Sequence, residues 1–362
     1  MTDTVVPRLR IRFPADLLAA VPYLVGFHPA DSVVVVGVRG EQLALAVRSD
    51  LPPVPSHVAG IVAKQAVDAT TIIGYGPAHR VGPAALGVRD ALLGRGIDVY
   101  DVLRVTDGRY WSYACDNPSC CPAEGTPFDP VSSPVAAQFA YHGQEALPSR
   151  AALVARVAPV DGPARESMRQ ATARAQARLD QLVAGAARQV AGEGRLAAGV
   201  GRRAAGEPEP AEVGRLMRAA GAEAVTAALT RHGAGTRLTD DEVAWLTVLL
   251  GCVAVRDLAW QRIDESRLHI GVWTDVVQRA EPHLAAPPAS LLAFAAWRLG
   301  EGALAVVALE RALRADPGYS LATLLDRVLR QGIAPTAIAG WPDPSGRSSR
   351  ARRSRARRRA GR

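Results

Sequence analysis

A chain of 362 residues exceeds what one compact core normally holds, so two or more domains are expected. Apolar residues at 48% and charged residues at 22% exclude a disordered chain, and four cysteines in this length exclude a disulfide scaffold. The net charge of +8 is concentrated: residues 347–362 hold nine arginines and no acid, which leaves residues 1–346 at −1 and excludes a general basic face for nucleic acid.

The first residues, MTDTVVPRLRIRFPAD, carry no apolar leader core, so no secretory address is expected. The most hydrophobic run, Val243 to Val255, is broken by Thr247 and Gly251 and is too short for a membrane span. A cytoplasmic protein with reduced thiols is expected, with no membrane partner. Pro14 and the following ADLLAAVPYLVG predict a short helix that is interrupted at Pro22 and stopped at Gly26. VVVVGV (33–38) is a β-branched run suited to a buried strand. Arg39-Gly40 then turns the chain into QLALAVRSDL (42–51), which predicts a hairpin. Beyond the prolines at 52–55, Val58, Ile61, Val62 and Ala66 share one helical face. ATTIIGYG reads as a strand, VGPAALGVRDALLGRG as a helix and IDVYDVLRV as a strand. The alternation predicts a mixed, partly parallel sheet covered by helices over residues 1–147.

Three stretches of this half, PADLLAAVPYLVGFHPADSVVVVGV, the RSDLP exit of the second strand, and YWSYACDNPSCCPAEGTPFD, resemble the actinobacterial domain of unknown function 4192 family. The similarity runs from the first helix to about residue 330. It implies a family and no particular chemistry.

Two sets of side chains in this half are candidates for a site. His28, Asp31 and Ser32 precede the first strand, and Arg48 and Asp50 leave the second. The hairpin register decides whether they meet as a polar ligand pocket at the sheet edge. The plainer reading is a His28-Pro29 turn, local capping by Asp31 or Ser32, and an Arg48–Asp50 pair, and it is favoured. Gly74-x-Gly76 lacks the third glycine of a dinucleotide loop, since His79 stands there, so a strand-to-helix turn is expected. Cys115, Cys120 and Cys121 fall within seven residues in the segment 110–129. With His142 downstream they could complete a four-ligand zinc site. Against this, adjacent Cys120 and Cys121 are expected to point apart, so structural packing is favoured over metal, and no zinc cofactor is favoured.

From Pro163 to Val190, Met168, Ala171, Ala175, Leu179, Leu182, Ala186 and Val190 recur at steps of three and four, which predicts one long amphipathic helix within residues 148–205. The glycine-rich stretch 192–210 reads as a flexible connection, followed by an Ala-rich helix or helix pair over 211–230. An all-helical domain is expected over 206–340. Thr239-Asp240-Asp241-Glu242 is a capping box opening a helix that continues through AWLTVLLGCVAVRDLAWQ, with Cys252 in the core. RLHIGVWTDVVQRA (267–280) is a further helix, with His269 a surface or packed residue. Residues 286–319 resemble one tetratricopeptide unit, with Gly300 near the turn, Ala305, Leu309 and Ala312 on the second helix and Pro317 at its end; LATLLDRVLRQG follows as a covering helix. The tail 341–362 offers one large apolar residue, Trp341, and is expected to be disordered and to bind polyanions weakly and non-specifically.

With no strong catalytic motif, a non-catalytic protein-binding scaffold acting through the helical domain is the expected function. The alternatives are a small-molecule binder or enzyme at the sheet ends, with or without zinc at the cysteines, and tail-mediated nucleic-acid association.

Overall fold

The computed structural model describes residues 11, 13–40, 42–197 and 210–338, and the side chains of these except 186–197, 210, 211 and 338. The arginine-rich tail and residues 198–209 of the glycine-rich connection lie outside the described residues, and with them the expectations placed there. The chain divides into two units. The first holds the chain up to Ala155 with the short returns Glu301–Ala303 and Val328–Ala334, and the second holds Arg156–Gly300, Leu304–Arg327 and the residues from Pro335.

The first unit is a mixed sheet covered on both faces. Helix α1 (Pro14–Val25) is followed by the hairpin β1 (Ser32–Arg39) and β2 (Gln42–Asp50), then α2 (Pro55–Val62), β3 (Ala69–Tyr75), α3 (Ala78–Leu93) and β4 (Asp98–Thr106). Two short strands, β5 (Arg109–Ser112) and β6 (Thr126–Pro127), and two helices, α4 (Pro134–Tyr141) and α5 (Arg150–Ala155), complete it. The strand order is β2-β1-β3-β4-β5-β6, with β3 and β4 parallel and every other neighbouring pair antiparallel.

The valine run of β1 serves two cores, which is why it is continuous instead of alternating. Val33 and Val35 pack with Val58, Val62, Val81, Val88 and Leu92 of α2 and α3, while Val34 and Val36 pack with Leu18 and Val21 of α1. α4 lies on the far side of α1, where Phe139 stacks on Tyr23 at 4.6 Å between ring centroids. α1 is continuous through Pro22, contrary to the expected interruption. Proline there removes one backbone donor, and burial of Leu18, Val21 and Val25 on the same face holds the helix together. α2 stops at Val62, one turn short of Ala66. The glycines after β3 make the expected turn: Gly76 has φ of 136°, and Val81 of α3 packs so closely on Gly74 that a Cβ there would overlap it.

The second unit is helical. It contains α6 (Gly162–Ala197), α7 (Pro210–Gly233), α8 (Asp240–Leu249), α9 (Val253–Gln261), α10 (Arg267–Arg279), α11 (Ala286–Arg298), and all but the first residues of α12 (Gly302–Ala315) and the last of α13 (Ser320–Arg330). Of the three-four stripe of α6, Met168, Ala171 and Ala175 are buried and Leu179 and Leu182 half-buried, and α6 runs into the stretch read as a flexible connection. The capping box of α8 forms as expected: Glu242 N donates to Thr239 Oγ1 at 3.2 Å, and Thr239 N donates to Glu242 Oε2 at 2.8 Å.

The single helix expected beyond it is in fact two, α8 and α9 meeting at 110° across Gly251. Cys252 is the N-cap of α9 and only half-buried, not a core residue. The break lets Trp260 meet Phe294 of α11 edge-on at 5.0 Å. Among the described residues no single helix is long and apolar enough to cross a membrane.

Ala305 and Ala312 on α12 are fully buried. Ala305→Leu is expected to overpack this position and cost about 1–3 kcal/mol. Thermal denaturation checks it, and an unchanged melting temperature would contradict the close packing around Ala305.

Candidate metal centre

The loop between β5 and β6 carries three cysteines at one edge of the sheet. Its entry is set just past β5, where Tyr113 N donates to Val102 O at 2.7 Å and Ala114 N to Ser112 Oγ at 3.0 Å. Asn117-Pro118-Ser119-Cys120 then coils the chain back: Asn117 O accepts from Cys120 N at 3.2 Å and from Cys121 N at 2.8 Å, and Asn117 Oδ1 accepts from Ser119 N. The far side is tied to β5 by Trp111 Nε1 donating to Ala123 O at 3.0 Å and by Arg109 Nη1 donating to Gly125 O at 2.7 Å. Arg104 of β4 lies 3.5 Å over the Trp111 ring. The same ring lies against Gly125, whose φ is 81° and where any Cβ would enter the indole.

This scaffold brings the three sulfurs together. Cys115 and Cys120 Sγ are 3.1 Å apart, Cys120 and Cys121 Sγ are 3.7 Å apart, and all three lie within 4.8 Å of one another. The expectation that Cys120 and Cys121 diverge is therefore corrected. It holds for an extended chain, where successive side chains alternate by about 180°. In the helical turn closed on Asn117 O, successive side chains are separated by about 100°, so both thiols can face one point.

Three thiolates bound to one tetrahedral zinc at about 2.3 Å stand roughly 3.8 Å apart, close to the spacing of this group. The neighbouring thiols of Cys120 and Cys121 favour the Cys115 thiolate and hold that group below its ordinary range. Cys121 is pushed up to about 12, chiefly by its bond to Cys115. Thiols that share hydrogen bonds in this way are the groups from which a binding cation displaces protons.

His142 is not part of this group. It caps α4 and packs edge-on against Tyr141, at 5.4 Å between ring centroids. Among the described residues the set able to hold a metal is the three cysteines alone.

The other predicted residues do gather, at the sheet end where β1 begins and β2 and β3 finish. The register sets Ser32 opposite Asp50 on β2 and opposite Tyr75 on β3. Arg48 pairs with Asp50 at 2.6 Å, Asp31 pairs with Arg80, and His28 N donates to Leu147 O. Ser32 has no capping bond: its Oγ, Tyr75 OH and Arg48 Nε are buried without a partner among the described residues. Burial pushes the Tyr75 phenol up, which keeps it a donor. Tyr75 was missed by the sequence reading. The signal that could have found it is its place at the end of a strand flanking the Ser32 strand.

In the helical unit, His269 is buried and bonds Asp264 at 3.1 Å, and desolvation holds its imidazole below the ordinary range. It is a packed residue. A cleft of about 370 Å³ lies along α10, lined by Arg156, Arg267, Gly271, Thr274 and Gln278 among others.

Fold and site together define a mixed α/β unit with a helical second unit and a three-thiol loop at the sheet edge. The chain belongs to the family described as domain of unknown function (DUF4192), which matches residues 14–336. No curated protein and no solved structure gives a match.

Proposed function

We propose that this is a cytoplasmic zinc-binding protein in which Cys115, Cys120 and Cys121 hold the metal and the helical unit engages a protein partner. The observation that carries the metal reading is the convergence of three sulfurs within 4.8 Å on a loop tied down by backbone and indole hydrogen bonds. Such a loop has no hydrophobic reason to bring three thiols together at an exposed edge. Soft, deprotonated sulfur ligands select zinc over hard cations. A reducing compartment keeps thiols available for it.

The partner reading rests on the burial of Ala305, Leu309 and Ala312 in the tetratricopeptide-like stretch and on the arginine-lined cleft of α10. A second reading, a small acceptor ligand at the sheet end, is favoured by the unpartnered donors of Ser32, Tyr75 and Arg48.

The metal reading is tested by elemental analysis of full-length protein purified without chelator. One zinc per chain is expected, falling to background in Cys120→Ser with the circular dichroism spectrum retained. Protein that stays metal-free after reconstitution with zinc would reject it.

A further inference from the structure

We infer that the metal held by Cys115, Cys120 and Cys121 keeps its fourth coordination position open to solvent and takes an external thiol there, an inference that rests on the thiolate-centre reading above. A tetrahedral zinc needs four ligands, and sites closed for structural purposes take all four from the protein. Here, among the described residues, no fourth cysteine, histidine or carboxylate ligand atom joins the group.

The acid nearest in charge effect, Asp101, is already committed. Its Oδ1 accepts from Ser112 Oγ at 2.6 Å and from Val102 N at 2.7 Å. His142 lies outside the group, with its ring edge-on against Tyr141. Cys120 itself is exposed, so the open side of the site is in solvent.

The class of ligand follows from softness and charge. Three thiolates on a divalent zinc leave a net charge of −1, which disfavours a further anion unless cations stand near. Arg109 is bonded to the carbonyls of Glu124 and Gly125 in this same loop, and Arg104 is stacked on the Trp111 indole that anchors it. Two cations therefore stand among the groups that frame this loop. A site built from sulfur completes most favourably with sulfur. The geometry thus points to a small monothiol, bound as thiolate by exchange with a metal-bound water. In that exchange one zinc–oxygen bond breaks, one zinc–sulfur bond forms, and the thiol proton passes to solvent.

Cobalt(II) reports the number of bound thiolates through its sulfur-to-metal charge-transfer absorption in the near ultraviolet. Full-length apo-protein, kept reduced with a phosphine, is titrated with cobalt(II) and then with 2-mercaptoethanol. The first step should show a three-thiolate spectrum at one cobalt per chain. The second should raise the charge-transfer absorption by about a third, from three thiolates to four, with a shift of the visible bands. A four-thiolate spectrum before thiol is added, or one that saturating 2-mercaptoethanol leaves unchanged, would overturn the open position while leaving the metal centre standing. No cobalt or zinc binding at all would overturn both.

Discussion

Asp275→Ala is expected to lower the stability of the helical unit by about 3 kcal/mol, the low end for breaking a buried ion pair by removing one partner. Arg279 sits at the end of α10 with its side chain 4% exposed, held by Asp275 on its own helix, by Asp240 at 3.1 Å and by the carbonyl of Leu238 at 2.9 Å. This guanidinium clamps the C-terminal end of α10 to the start of α8. Stripping away Asp275 leaves a buried guanidinium with half its counter-charge. The melting temperature should fall by roughly 6–12 °C for a unit of this size. Adding Arg279→Met in the same background should recover part of the loss, because the uncompensated charge goes with it. A single variant as stable as the parent, or a double variant less stable than Asp275→Ala, would show that the clamp contributes little.

The second large effect is expected at Gly125. Its positive φ costs an L-residue about 1–2 kcal/mol, and a Cβ would also enter the Trp111 ring. Gly125→Ala must therefore push the loop off β5, loosening the bonds from Trp111 and Arg109 that hold it. Because these groups orient the cysteines without ligating, the expected result is a 10–100-fold loss of zinc affinity, the usual effect of disturbing groups that support ligands. Competition against a chromogenic chelator measures it. The global melting temperature of the apo-protein serves as control, since the loop lies at the edge of the sheet and contributes little to the cores. Unchanged affinity would mean that the turn on Asn117 alone positions the sulfurs.

Much of the architecture follows from local sequence. The valine run of β1, the hairpin at Arg39-Gly40, the β3–α3–β4 alternation and the capping box at Thr239 are each encoded within a few residues, where side-chain period and turn chemistry act at short range. The edge strands β5 and β6 escaped this reading because they are four and two residues long, below the length at which a period is visible. The break at Gly251 escaped it because a lone glycine inside an apolar run is compatible with one buried helix or two. Tertiary packing, including that of Trp260 on Phe294, chooses between them.

The site divides the same way. That Cys115, Cys120 and Cys121 are the chemically pointed residues is evident from their types and proximity in the chain. Whether neighbouring thiols converge depends on backbone dihedrals, and spacing alone wrongly favoured divergence. The two bonds to Asn117 O decide it by coiling the turn. For the hairpin ends, composition named Asp31, Ser32, Arg48 and Asp50, but the strand register brought them to one end beside Tyr75. Residue identity is local information, whereas register and turn geometry are settled by burial of both sheet faces at once, and that is a property of the folded chain alone.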